Sequence, residues 1–217
     1  MNAARALWLA WLTIAVGAGA ALAQESSAAL DPATDDWQER VAAIMAGNDQ
    51  VIADDPLGAP LVACSATACT QQSDITFSAE ESAALRALFI DDTDGQDERA
   101  AIARAIARME VFVGGRNGTW ADHPGNEHNS WDEAGQLDCV SEAVNTHTYL
   151  HRMIQAGLIR HHRLGDLVIR YTLVLQHVAV NVIDDDAREF VVDSWVGANG
   201  EEPEITPYIH WRMQWGV

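Results

Sequence analysis

The sequence predicts an α+β fold, and three observations carry that reading. Apolar residues recur at helical spacing through the first two thirds of the chain. From Leu158 onward the texture changes to runs rich in Val, Ile, Leu and aromatics, such as LVIRYTLVL, HVAVNVI and REFVVDSW. Helices first and strands later point to N-terminal helices followed by a mostly antiparallel sheet. The length of 217 residues suits one ordinary domain, and 48% hydrophobic residues supply a core that does not depend on disulfides.

The N-terminus reads as a secretory signal. Arg5 precedes LWLAWLTIAVGAGAAL, and Ala21-Leu22-Ala23 matches the small-x-small pattern of a cleavage site, with Gln24 next. A retained anchor fits less well, because the run is short, ends in small residues and lacks a basic flank. The expected organisation is a signal peptide over 1–23, a lead-in over 24–31 and one domain over 32–217. The expected address is bacterial periplasm or secretion, with no stable membrane anchor after cleavage. The formal charge is −19, and all 13 basic residues are Arg. Such a surface repels nucleic acid and anionic lipid and favours basic partners or divalent cations. Solubility alone also explains it.

The first helix is expected from Pro32 or Thr34 through Met45, with Trp37, Val41, Ala42 and Met45 on one face and Gly47-Asn48-Asp49 as its stop. Residues 50–76 read as loop. Ser78-Ala79-Glu80-Glu81 is a capping-box signature for a helix to about Phe89. DDTDGQDE (91–98) is not an EF-hand loop: with Gly95 at the sixth position, Ile90 falls on the first ligand position. Acids ahead of a helix N-terminus complement its dipole instead, and a helix is expected over Asp97–Val113. The long loop 114–137 is rich in Gly, Asn, Asp, His and Trp, a texture common at functional sites. A further helix begins at Cys139 behind the N-cap Asp138 and ends at Gly157.

The cysteines sort themselves. Cys64 and Cys69 in CSATAC suit a local disulfide in an oxidising compartment, which leaves Cys139 unpaired. A buried inert thiol is one reading. A nucleophile is the other, since a helix N-terminus favours a thiolate, although Asp138 and Glu142 oppose it. A base and an orienter are then needed. A hairpin centred on Asp185 pairs Ile183 with Ala187, Asn181 with Glu189, Ala179 with Val191 and His177 with Asp193. Val178, Val180, Val182, Phe190 and Val192 then share an apolar face, and His177 and Asp193 oppose each other on the other face, where the Cys139 helix would pack. That is what a Cys139-His177-Asp193 triad requires.

The stretches LDCVSEA, QHVAVNVI and FVVDSW resemble the papain-like and transglutaminase-like superfamily, and most closely the bacterial transglutaminase-like cysteine proteinases. The resemblance covers about residues 98 to 211. It implies a papain-like/transglutaminase-like fold with the sheet packed on the nucleophile helix, and Cys139, His177 and Asp193 as the triad. Relatives carry acids and a Tyr after the Cys, where Val140-Ser141-Glu142 stand here. Some relatives bind calcium through acids flanking the Cys; Asp138 matches one of these, and Val140 stands at the other. No cofactor is required by the chemistry itself. Oxyanion-hole candidates are the Cys139 backbone N–H, Gln136 and Trp131.

A metal reading competes. His147 and His151 lie four apart on one helix face, with His161 and His162, or His123 and His128, as further zinc ligands, but no HExxH pattern is present. The expected function is therefore an exported thiol hydrolase or acyltransferase, a cysteine peptidase acting on protein or peptide through a thioester. The alternative is a zinc-binding or non-catalytic binding protein on the same fold. The terminal ANGEEPEITPYIHWRMQWGV ends in aromatics that pack or line a cleft.

Overall fold

Helix α4 (Cys139–Gln155) is the centre of the architecture, and its limits are those the sequence sets. Asp138 caps it by accepting from Ser141 N at 2.8 Å, and Gly157 leaves it at a φ of 69°. Every residue from Val140 to Leu150 is buried, so the helix is enclosed on all sides rather than amphipathic at a surface. The computed structural model describes residues 37–125, 134–171 and 176–214. The signal peptide 1–23, the lead-in 24–31, the start of the first helix, His128 and Trp131 lie outside the described residues. Those described fall in one unit, Asp36–Val217.

Helix α1 (Trp37–Asp49) does not stop at Gly47. Asn48, a usual helix breaker, is buried and holds strand β1 (Leu61–Ser65) by accepting from Val62 N at 2.8 Å and donating to Val62 O at 2.9 Å. The expected loop over 50–76 is instead a hairpin. Strand β1 pairs antiparallel with β2 (Gln71–Ile75), from Leu61↔Ile75 to Ser65↔Gln71, and the Cys64–Cys69 disulfide closes its tip. The polar β2 segment QQSDI carries no apolar alternation that would mark it as a strand.

Helix α2 (Ala79–Ala87) opens with the expected capping box between Ser78 and Glu81. Helix α3 (Gly95–Asn117) is capped by Asp94, which accepts from Gln96 N and Asp97 N at 2.8 and 3.0 Å, so the acidic stretch serves the helix. It runs past Val113 through two glycines. A Cβ on Gly114 would sit 2.8 Å from Trp120 N and 2.9 Å from Asn199 Oδ1, so glycine there permits a close approach.

The second sheet has the order β3-β4-β5-β6 with antiparallel neighbours, from β3 (His162–Tyr171), β4 (Gln176–Asp184), β5 (Glu189–Asp193) and β6 (Glu204–Pro207). The β4–β5 register is Val180↔Val192, Asn181↔Val191 and Ile183↔Glu189, two residues away from the expected one. The turn is not centred on Asp185. Asp184 N donates to Arg188 O at 3.0 Å and the Asp184 carboxylate accepts from Asp186 N and Arg188 N at 3.0 and 2.8 Å. Ala187 takes a φ of 60°. A slip of two residues keeps every side chain on its expected face.

The packing of those faces differs from expectation. Val178, Val180, Val182, Phe190 and Val192 share one buried cluster with Val140, Ala143 and Val144 of α4. Ala179 and Val191, on the other face, pack under Trp211 of α5 (Tyr208–Met213). Of the terminal aromatics, Trp211 packs fully buried with Tyr208 against it, and Trp215 lies outside the described residues. Among the described residues, no helix is long and apolar enough to cross a membrane.

Candidate functional site

The sequence brings His177 and Asp193 together, although not as a direct cross-strand pair. His177 Nε2 lies 2.6 Å from Asp193 Oδ2, and Trp211 Nε1 donates to the same oxygen at 2.7 Å. The imidazole is fully buried between Trp195 and Trp211, with ring centroids 4.8 and 5.7 Å away. Its Nδ1 has no hydrogen-bond partner among the described residues. Arg170 holds the back of this group: Nη1 donates to Trp211 O at 2.7 Å, and the guanidinium lies 4.8 Å over the Trp211 ring. Trp211 is a site residue that sequence reasoning left as packing. No periodicity connects a C-terminal Trp to an Asp eighteen positions earlier.

The thiol does not join this pair, and the expected cysteine peptidase is corrected on that ground. Cys139 is free and half-buried; its Sγ faces the Gln176 carbonyl at 3.9 Å, and no hydrogen bond links it to His177. The cause lies in the packing. Cys139 sits at the margin of the valine cluster with its Sγ turned to the Gln176 carbonyl, while His177 and Asp193 are engaged with each other and with Trp211; the Asp193 charge reaches the thiol without a hydrogen bond between the thiol and the His177 ring. Burial first, then the Asp138 charge, push the Cys139 thiol up to about 12. At neutral pH it carries no usable thiolate fraction. The Cys-His-Asp triad and the thiol-protease mechanism are thus not assembled. Alkylation of Cys139 by iodoacetamide near neutral pH is expected to run about a hundredfold slower than for an ordinary exposed cysteine. Mass spectrometry should find the rate unchanged in His177→Ala. Fast labelling that needs His177 would contradict this geometry.

The residues around Cys139 have a structural task. Asp138 Oδ1 caps α4 while Oδ2 accepts from Ala68 N at 2.9 Å. Both oxygens being so engaged, Asp138 serves the cap and the disulfide loop. Ser141 Oγ accepts from Cys69 N at 2.8 Å and donates to Ala66 O at 2.6 Å. Gln136 is buried; its Nε2 donates to Ala121 O at 2.7 Å and its Oε1 accepts from His123 N at 3.2 Å. It stitches two loop segments together. Trp131, the other oxyanion candidate, lies outside the described residues.

The zinc reading is corrected as well. Among the described residues no group of three or more His, Cys, Asp or Glu is placed to hold a metal ion. His147 and His151 stack nearly parallel at 6.4 Å beside Asp49, whose Oδ1 is 3.2 Å from His151 Nδ1 and 3.9 Å from His147 Nδ1. His161 and His162 belong to a different corner, on Asp185 and Glu98 respectively. Comparison of the chain with protein-family models, with curated proteins and with solved structures finds no match.

Proposed function

We propose that the chain is an exported binding protein of transglutaminase-like architecture, without thiol chemistry, that takes an extended basic polypeptide segment along the outer edge of β3. The likeness of LDCVSEA, QHVAVNVI and FVVDSW to the transglutaminase-like proteins supports the architecture, as does a central helix followed by antiparallel strands. The pattern of residues 1–23 supports export.

One observation carries the binding assignment. Strand β3 runs ten residues at the edge of the sheet, with β4 its neighbour on one side. Its bulge between Leu164 and Leu167 lies beside a cleft of about 540 Å³ that continues from β3 over Asn181 and Ile183 of β4 to Glu189 of β5. An extended peptide can add main-chain hydrogen bonds to such an edge and place alternate side chains in the cleft. Gly165 lines the cleft and lets Asn181 approach closely: a Cβ there would meet Asn181 at 3.1 Å. Asn181 lines it with a buried Oδ1 that has no partner among the described residues. Asp166 and Glu189 line it against the single cation Arg163, and with the formal charge of −19 the balance favours a basic ligand over an acidic one.

Fluorescence anisotropy with extended Arg- and Lys-rich peptides at low salt tests this. Saturable binding is expected, weakened about tenfold in the double variant Asp166→Arg/Glu189→Arg. Equal binding of acidic peptides, or indifference to the charge reversal, removes the reading. An acyl group found on Cys139 after incubation with peptide removes the binding-only part of it.

A further inference from the structure

Carboxyl groups from three stretches of chain lie within electrostatic reach of one another inside the protein, without a counter-charge among the described residues. Glu110 comes from α3, Asp122 from the turn after it and Glu142 from the first turn of α4; they are 5%, 4% and 4% exposed. Among the described residues, none of the three meets an arginine. The charges that bear on Glu142 are those of Glu110, Asp122, Asp138 and Asp193, and Glu110 and Glu142 in turn bear on Tyr149 two turns further along α4. From β4 the nearest titratable group is His177, held by Asp193. Glu110 Oε1 and Asp122 Oδ2 are buried and have no hydrogen-bond partner among the described residues. Bringing such carboxylates together ionised and dry is costly, and protonation is the available relief.

Two of these carboxyl groups, Glu110 and Asp122, fasten loops, and Glu142 stands on α4 within reach of their charges. Glu110 Oε2 accepts from Gly200 N at 3.0 Å, and Asn199 Nδ2 donates to the Glu110 carbonyl at 3.2 Å. Asp122 Oδ1 accepts from Leu137 N at 2.7 Å, directly ahead of α4. Gly125 N donates to Trp195 O at 2.6 Å, which ties the Asp122 segment to the segment after β5.

We propose that Glu110, Asp122 and Glu142 form a pH-operated latch: protonated, they hold segments 119–125, 134–138 and 194–203 closed around the amino end of α4, and their ionisation releases those segments. This goes beyond the peptide-binding reading and does not depend on it. Burial, helped by the Asp122 charge, pushes Glu110 up to about 8 against the Gly200 and Ser194 hydrogen bonds. Burial pushes Asp122 up to about 7, and Glu142 is raised well above the ordinary carboxylate value by burial and then by its acidic neighbours. The closed form therefore binds protons that the open form gives up. Closure is unopposed below the ordinary carboxylate range and weakens as the pH climbs to about 8.

Hydrogen exchange from about pH 6 to about pH 9, corrected for the intrinsic rate, tests the latch. Wild type is expected to lose about tenfold protection in 119–125 and 194–203 across that range. Glu110→Gln, and independently Asp122→Asn, should keep most of it. Unchanged wild-type protection, or variants that lose as much as wild type, would overturn the proposal. Infrared spectra of the wild-type protein give a check that needs no variant. A protonated carboxyl band at about pH 6 that disappears by about pH 9 supports the latch, and its absence at the lower pH overturns it.

Discussion

Replacing Glu98 with alanine is expected to cost about 3–5 kcal/mol of stability, because it removes the one acceptor shared by three donors. Glu98 lies in the first turn of α3 and is completely buried. Its carboxylate accepts from Arg160 N at 2.6 Å, from His161 N at 3.0 Å and from His162 Nδ1 at 2.7 Å. Arg99 Nη1 lies 3.1 Å from His162 Nε2, and arginine can only donate. His162 therefore accepts at Nε2 and gives its single proton, at Nδ1, to Glu98. One carboxylate thus fastens the entry into β3 onto α3, and its removal leaves three donors without this acceptor, that of His162 fully buried. Glu98→Gln should cost less, about 1–3 kcal/mol, because an amide oxygen still accepts while its NH₂ faces donors. In urea unfolding the midpoint should fall with little change in slope; an unmoved midpoint in Glu98→Ala would refute this account. Burial works to raise the Glu98 carboxyl, but His162 and the Arg160 and His161 N–H groups outweigh it, and the group sits below the usual value of 4.5. Its stabilisation is therefore present above that value and fades as pH falls through the lower folded value. The wild type and Glu98→Gln should converge in acid. The Glu110–Asp122 cluster acts in the opposite sense, so stability is expected to fall on both sides of a mildly acidic optimum.

Ser141→Ala is expected to cost about 2–4 kcal/mol, large for the loss of one hydroxyl. Ser141 is fully buried and satisfies two backbone groups of the disulfide loop, the Cys69 N–H and the Ala66 carbonyl. That loop holds three left-handed residues without glycine: Ala66, Ala68 and Cys69 have φ of 58°, 47° and 58°. Each such conformation costs on the order of 1–2 kcal/mol and persists where its surroundings over-determine it. Here those surroundings are Ser141, Asp138 and Arg40, whose Nε donates to Ala68 O at 2.9 Å. Thermal melts should show the loss, and dithiothreitol should reduce Cys64–Cys69 faster in the variant. Melts and reduction rates equal to wild type would mean the loop holds itself.

Some of this was legible in the sequence because a local signal had no competitor. Asp138 and Gly157 bound α4 and Ser78 with Glu81 opens α2, each through backbone groups a few residues away, while for α3 the acids ahead of the helix were legible and the capping role of Asp94 was not. The likeness of faces along β4 and β5 was legible for a different reason: alternation survives an even slip, so His177 and Asp193 stayed together although the register moved by two. Which face would receive α4 was not legible. Val178, Val180 and Val182 could have faced another layer, leaving the Ala179 and Val191 side for the helix. The choice falls to α5, where Trp211 comes from the far end of the chain to cover Ala179 and Val191. Strand β2 escaped notice because its residues are polar and mostly exposed, and only pairing with β1 makes it a strand.

The tie between CSATAC and the start of α4 also bears on biosynthesis. Cys64 and Cys69 are separated by five positions and precede Cys139 in the chain. In a polypeptide that crosses a membrane from its N-terminus, they reach the oxidising side together, before any third sulfur follows. They can join before a wrong partner exists, and Cys139 then arrives to find no thiol left to capture. The shape of their loop comes later, since Asp138 and Ser141 travel with the late-arriving stretch. Bond first and conformation second is an order written into the spacing of the residues.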